Sequence, residues 1–437
     1  MGLSESFTSR IYFIGIGGIG MSALALFLKE RGFRVAGSDK CKSEITSKLE
    51  ARGIVVNYSH DEINLRSDDM VVFSSAITEV NPEYAYAKNH NMALVSRARL
   101  LSLVSECFSI SVGVSGCHGK TTVTALIAHI FKAASYPFTA FIGGEDLTFS
   151  NFCSFGKTCF LAEICEYKKN INFFTADVGL VLNIDNDHLD SYENLGDIKN
   201  TFAAFLKRAK KKIAFEDCKL AAVTFGFKKN SDYRADKITF KDGVTSFTVY
   251  ERKKKLMRVS VRLSGEKNVL NALAAVAVVR EMNIDKNAIK RGLAAFKGVK
   301  RRDEVIGSLN GAPVIADYAH HPTQLAERLQ AYKKGLKGRL FVVFQPHTYS
   351  RTKLLFKDFV SALILEDNLF IFKTYAAREN FLPEGSALKL CEALPKCIYY
   401  DVETKLFARL KTEAEAGDKV LILGAGDIYD KFKRLLR

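Results

Sequence analysis

The stretch Ser111–Leu126, SVGVSGCHGKTTVTAL, decides how the middle of this chain folds. A β-branched apolar run meets glycines, and Gly119-Lys120-Thr121-Thr122 leads into a helical pattern. Val123, Leu126, Ile127, Ile130 and Phe131 then share one face, the stripe of a helix laid on a sheet. Glycines let backbone N–H groups turn onto phosphate oxygens. Lys120 offers charge to terminal phosphates, Thr121 a hydroxyl to Mg²⁺, and the helix N-terminus its dipole. The spacing departs from G-x-x-x-x-G-K-[ST], because Val114 stands five residues before Gly119, flanked by Gly113 and Gly116. The stretch reads as a nucleoside-triphosphate loop; the bland alternative is a Gly-rich turn before a helix.

Towards the N-terminus, Arg10–Lys40 reads RIYFIGIGGIGMSALALFLKERGFRVAGSDK. It holds G-x-G-x-x-G at Gly15, Gly17 and Gly20, with Asp39 about twenty positions on, the fingerprint of a dinucleotide-binding βαβ unit. On pattern alone this favours NAD, so the chain carries two phosphate-loop signals. Towards the C-terminus four strand signals, APVIADYAH, RLFVVFQPH, NLFIFKTYA and KVLILGAGD, each run into polar residues. In open α/β sheets, ligands bind at the carboxyl ends of strands.

The 437 residues suffice for about three domains. Strand-like runs alternate with helical patterns, so the expected fold is α/β with parallel sheets. The expected domains are 1–105, Rossmann-like; 106–297, a central P-loop ATPase-like parallel sheet; and 298–437, again Rossmann-like. No apolar run is long enough to span a bilayer and no signal region opens the chain, which argues for a cytoplasmic protein with no membrane association. Nine cysteines without a C-x-x-C pair fit reduced thiols and argue against zinc. The net charge of +16 comes partly from clusters such as KRAKKK (Lys207–Lys212) and ERKKKLMR (Glu251–Arg258). These clusters are scattered and no nucleic-acid module is legible, so positive clefts for anionic nucleotides are the simpler reading and no nucleic-acid partner is expected.

SGCHGKTT resembles the GTHGKTT loop of the Mur ligases. The histidine before Gly-Lys points, within that family, to the branch that joins L-alanine to UDP-N-acetylmuramate. FIGIGGIGMSALA, VVFSSAITEVNPE, LNIDNDHLDSY, GEKNVLNALAAVAV, GVKRRDE, DYAHHPT, FQPHTYSRT and GAGDI resemble that family's blocks, in family order, over most of residues 10 to 430. The resemblance implies an ATP-dependent ligase of peptidoglycan precursor synthesis. The lactyl carboxylate of UDP-N-acetylmuramate attacks the ATP γ-phosphate, and L-alanine attacks the resulting acyl phosphate. It also implies that the first glycine motif holds a UDP-sugar rather than NAD, since both ligands present a pyrophosphate to a helix N-terminus.

The same resemblance distributes roles. Gly116, Cys117, His118, Gly119, Lys120, Thr121 and Thr122 would cradle ATP. Glu163, ending the strand in FLAEICEY, would bind Mg²⁺ with Thr121, and His188 would hold a second Mg²⁺. Asn268 and Asn271, three apart on one helix face, would contact adenine. Arg302 would meet the γ-phosphate, with Arg301 beside it as the alternative, and Asp317 would meet the nucleotide. His320 would take a proton from the incoming ammonium; a hydrogen-bonded loop histidine is the other reading. His347 and Arg351 would frame the amino acid, Arg351 pairing its carboxylate. Gly17, Gly18, Ile19 and Gly20 would hold the UDP pyrophosphate, Asp39 would face uridine, and Ser74 and Ser75 would add hydroxyl contacts. The chain departs from the family at Lys267, Asp303, Ala316 and Thr348, and Cys165 and Glu166 receive no role. Oligomeric state is not legible. The rival readings are a ligase that recycles preformed peptides, an NAD-dependent dehydrogenase, and a nucleic-acid-stimulated ATPase resting on charge alone.

Overall fold

A computed structural model describes residues 9–185, 192–241, 243–377 and 379–437. The chain divides into two compact units, Met1–Lys297 and Gly298–Arg437.

The first unit holds two sheets. One has five strands in the order Val55–Asn57, Val35–Ser38, Ile11–Ile14, Met70–Phe73, Ala93–Ser96, all parallel. Ile11–Ile14 is buried at every position, as a central parallel strand covered on both faces must be. The other sheet has ten strands. Its parallel middle runs Val223–Gly226, Lys211–Phe215, Val178–Val181, Ile110–Ser115, Cys159–Glu163, Phe138–Asp146.

Antiparallel strands extend both ends of this larger sheet, an addition to the parallel sheet expected. Tyr233–Lys241 joins Val223–Gly226 in parallel and then forms an antiparallel meander with Val244–Glu251 and Lys254–Val261, and Ser150–Ser154 pairs back on Phe138–Asp146 at the other end. The basic run ERKKKLMR is the hairpin between the last two meander strands. Arg252 and Lys253 turn the chain with φ of 46° and 72°, the left-handed pair a tight hairpin needs. Lys254, Lys255 and Arg258 are exposed along the edge strand, where charge discourages edge pairing.

The helix Ile19–Glu30 binds the two sheets together. Phe27 packs against Phe108, Phe141 and Phe152, with ring centroids 5.6–6.4 Å apart. Asn151 Nδ2 donates to Ile19 O and Ser22 Oγ, both at 2.8 Å. One apolar core therefore runs from Ile11 and Leu24 to Phe160 and Phe205. The helix Lys120–Ala133 carries the expected stripe, yet all its residues from Thr121 to Phe131 are buried. The sheet covers one side and the helices Glu266–Glu281 and Lys286–Ala295 cover the other.

The second unit is a six-stranded sheet in the order Glu304–Leu309, Ala312–Asp317, Lys419–Leu423, Leu340–Phe344, Asn368–Phe372, Cys397–Tyr400. Only the first strand is antiparallel. The four inner strands are those read from sequence. The outer two escape that reading because both are half-exposed, Glu304–Leu309 being broken by Gly307 and Ser308 and Cys397–Tyr400 being only four residues long. Cys391 and Cys397 form a disulfide with Cα atoms 5.4 Å apart, which corrects the expectation of uniformly reduced thiols. The end of the helix Ala387–Glu392 and the start of the last strand bring them within bridging range, a proximity no sequence motif announces.

Candidate active site

The strand Ile110–Ser115 delivers the chain to Gly116, and the loop ends at Gly119, the N-cap of the helix Lys120–Ala133. Both glycines are required. Gly116 has φ +127° and a Cβ there would lie 2.9 Å from Leu182 N. Gly119 has φ +87° and its Cβ would meet Asn271 Oδ1 at 2.5 Å. The helix starts without a side-chain cap, so its first N–H groups face the loop, the arrangement that suits an anion.

Four side chains meet here, Lys120 and Thr121 from the start of the helix and Glu163 and Glu166 from the end of the strand Cys159–Glu163 and the residues after it. Lys120 Nζ donates to both Glu166 oxygens at 2.9 and 3.0 Å, to Gly116 O, and to Cys117 O at 3.3 Å. Burial opposes the Lys120 charge, but the Glu166 carboxylate outweighs it and holds the pKa above the ordinary lysine value. Thr121 Oγ1 donates to Glu163 Oε2 at 3.3 Å, while Gly143 N donates to the other Glu163 oxygen. A hydroxyl beside a carboxylate is a hard-oxygen pair that suits Mg²⁺. Thr122 is buried in the first helical turn and Cys117 in the loop. His118 is fixed by its neighbours: its N–H donates to Asn183 Oδ1 at 2.8 Å and its Nε2 lies 2.8 Å from Asp185 Oδ2. His188 lies outside the described residues.

Asn268 and Asn271, both buried, reach the loop from the helix Glu266–Glu281. Asn271 Nδ2 donates to Asn268 Oδ1 at 3.0 Å, and Asn268 Nδ2 to Ser264 O at 2.8 Å. The pair is thus pre-oriented against Gly119.

The first glycine loop is built differently. Gly15 has φ +78°, and Gly18 caps the helix Ile19–Glu30 without a side-chain hydrogen bond. Asp39 Oδ2 accepts from Gly17 N at 2.8 Å and its Oδ1 from Lys40 N at 2.8 Å. A Cβ on Gly20 would stand 3.1 Å from Arg97 Nη1, so a guanidinium lies against the first turn of the helix. Sequence reasoning missed Arg97. The signal was available, since Arg97 directly follows the strand Ala93–Ser96 at its carboxyl end. Ser75 is tied to the central sheet: Asn170 Nδ2 donates to its Oγ at 3.1 Å and Lys168 Nζ to its carbonyl at 3.3 Å. Ser74 Oγ accepts from Ala76 N at 3.3 Å. A small crevice is lined by Arg97, Leu101, Ile164, Cys165, Asn170 and Phe174.

In the second unit, three expected residues come together. His320 and His347 have ring centroids 5.9 Å apart, and Arg351 Nη1 lies 3.4 Å from His347 Nδ1. His320 Nδ1 lies 2.9 Å from Tyr318 O; a carbonyl only accepts, so that nitrogen carries the proton. Burial, then the Arg351 charge, lowers the His347 pKa to about 4, leaving a neutral ring at neutral pH. Arg301 is occupied elsewhere, with Nη2 2.6 Å from Asp430 and Nη1 3.1 Å from Gly426 O. Arg302 lies over the Tyr318 ring at 4.7 Å.

Asp317 is woven into a buried cluster. Its oxygens accept from Asp303 N at 3.0 Å and Ala319 N at 2.9 Å, and Arg328 lies 3.4 Å away. Arg328 also approaches Asp303 at 3.5 Å, and Tyr332 OH donates to Asp303. Burial opposes the Arg328 charge, but the two aspartates hold its pKa above the ordinary arginine value. The departure from the family at Asp303 is therefore matched by a cation in the same unit.

Three family models match in chain order: the Mur ligase family catalytic domain over residues 10–108, the Mur ligase middle domain over 114–279, and the Mur ligase glutamate ligase domain over 301–426. A UDP-N-acetylmuramate–L-alanine ligase of Clostridium acetobutylicum is 39% identical, covering 98% of this chain and 97% of its own length. One from Clostridium tetani is 38% identical, covering 97% of each. Among solved structures, the UDP-N-acetylmuramate–alanine ligase of Thermotoga maritima superposes with a TM-score of 0.83 at 26% identity, covering 98% of both chains. A murein peptide ligase of Psychrobacter arcticus shares the fold, with a TM-score of 0.74 at 24% identity and 98% coverage of both chains.

Proposed function

The chain belongs to the Mur ligase family, and from that premise we propose how its residues carry out the family's chemistry. The protein is an ATP-dependent ligase that joins L-alanine to UDP-N-acetylmuramate. The observation that carries the residue-level reading is the convergence of Lys120, Thr121, Glu163 and Asn271 on one glycine loop.

The reaction brings anions together, so charge screening and positioning dominate. The lactyl carboxylate attacks the γ-phosphate and ADP leaves; the alanine amine then attacks the acyl phosphate carbonyl and phosphate leaves. Lys120 and Arg302 supply positive charge to the phosphates, the loop N–H groups hold them, and Asn268 with Asn271 receives adenine. Thr121 and Glu163 would hold Mg²⁺, with His188 for a second ion; when bound, Mg²⁺ neutralises charge developing on the phosphate oxygens. Asp317 meets the nucleotide from within its ion-pair cluster. Gly17, Gly18, Ile19 and Gly20 hold the UDP pyrophosphate with Arg97 beside them, while Asp39, Ser74 and Ser75 shape that pocket. Arg351 pairs the alanine carboxylate. His347 stays neutral, and His320 accepts the ammonium proton before attack. Among the described residues no helix is long and apolar enough to cross a membrane; we place the reaction in the cytoplasm, where ATP is available.

The test is phosphate release from Mg·ATP with UDP-N-acetylmuramate, against single amino acids and L-alanine-containing peptides. Release with L-alanine, and a product heavier by one alanyl residue, is expected. Release with the tripeptide alone would move the acceptor assignment to the peptide-recycling branch.

A further inference from the structure

Glu166 has no role in the reading above, yet it is the strongest partner of the loop's own lysine. It lies three residues beyond Glu163, past the end of the same strand. The two carboxylates divide the loop between them, Glu163 taking Thr121 and Glu166 taking Lys120. Glu166 is only 1% exposed, and its segment is pinned on several sides. Tyr192 OH donates to the Glu166 carbonyl at 2.6 Å, Asn170 reaches Ser75, and Ser102 Oγ donates to Phe173 O at 2.6 Å. Between these anchors Lys168 and Lys169 take left-handed conformations, with φ of 51° and 56°. Two consecutive non-glycine residues there are held by surrounding structure rather than by preference.

An ammonium has three donors and no acceptor. Those of Lys120 are shared among Glu166, Gly116 O and Cys117 O, so a phosphate entering the loop must compete with them. The carboxylate is the anionic competitor, and its charge also repels the phosphate.

We propose that Glu166 is the positioning residue for Lys120, contesting its ammonium with nucleotide phosphate and so setting how tightly ATP is held. The proposal rests on the reading of this loop as the ATP site. Glu166→Gln keeps the shape and removes the charge. Lys120 is then left buried without its counter-ion, a costly arrangement that a bound phosphate relieves.

The experiment is calorimetric titration of the full chain, wild type and E166Q, with Mg·ATP and separately with adenosine. E166Q is expected to bind Mg·ATP roughly threefold or more tightly, the lower range of coupling within one ion-pair network. Adenosine, which has no phosphate, is expected to bind both proteins alike. Unchanged or weaker Mg·ATP binding by E166Q overturns the proposal, as does equal tightening for adenosine, which would mean a general change in the pocket. If E166Q does not fold, Glu166→Asp, which withdraws the charge by one methylene, is expected to tighten Mg·ATP in the same sense; wild-type affinity there overturns the proposal. A wild-type chain that binds no Mg·ATP overturns the loop assignment and the proposal together.

Discussion

Beside the loop at Gly15–Gly20 stands Arg97, supplied by a helix that follows another strand of the sheet, and the nearby acid, Asp39, is bonded to the loop's own backbone. In the loop at Gly116–Thr122 the cation is part of the loop, and the acids, Glu163 and Glu166, come from a neighbouring strand and the residues after it. Both follow a strand, turn on positive-φ glycine and start an uncapped helix. The first loop has no lysine of its own and a guanidinium beside its helix start, which suits a pyrophosphate that is only held. The second sets a lysine, a hydroxyl and a carboxylate fit to hold Mg²⁺ at its helix start, which suits a phosphate that is transferred.

That contrast can be broken by exchanging the sensitive parts. Lys120→Ala is expected to lower kcat/KM for ATP by about 10³-fold, the loss for removing one electrostatic clamp on a reacting group. Arg97→Ala is expected to raise the KM for UDP-N-acetylmuramate by about tenfold or more, as for one charge-assisted contact, with kcat little changed. A kcat loss at Arg97 equal to that at Lys120 would erase the distinction between holding and reacting. Steady-state kinetics with each substrate varied in turn decides it.

The glycines sharpen the same comparison. Gly119→Ala adds left-handed strain and a 2.5 Å contact with Asn271; about 1–3 kcal/mol of strain alone predicts ATP affinity weaker by roughly tenfold or more. Gly15→Ala carries comparable backbone strain, but its nearest neighbour, Ile77 Cδ1, is 3.8 Å away, so it is expected to cost less. Melting temperatures and titrations of the two variants should rank in that order.

The smallest effect is the pH response of His347. Its folded pKa of about 4 lies below the ordinary value, so between about pH 4 and 6.5 the unfolded chain binds more protons than the folded one. Stability contributed by this residue therefore rises with pH across that window and is lost as pH falls through it. Denaturation midpoints measured from pH 4 to 7 should show a shallower slope in His347→Gln.

Much of this molecule was legible because its signals are local. The four inner strands of the second unit, the stripe on Lys120–Ala133 and the paired asparagines each follow from spacing within one element. The outer strands Glu304–Leu309 and Cys397–Tyr400 were not legible, because one is interrupted by Gly307 and Ser308 and the other is a half-exposed run of only four residues. The meander of residues 233–261 read only as charge, since its turn uses Arg252 and Lys253 where glycine or asparagine would have announced a hairpin. Asp303 looked like a defect in the family pattern. Arg328, which pairs it with Asp317, lies a helix away and could not be matched to it from sequence.

The sequence by itself determined the α/β class, the two glycine loops and the family, because glycine, lysine and hydroxyl positions along one strand-loop-helix are set by backbone geometry over a few residues. Tertiary structure decided which charges meet: Arg97 at the first loop, Glu166 on Lys120, and one core shared by two sheets. Those partners stand tens of residues apart, 46 in the case of Lys120 and Glu166. An ion pair depends on distance in space, and only packing brings such partners within reach.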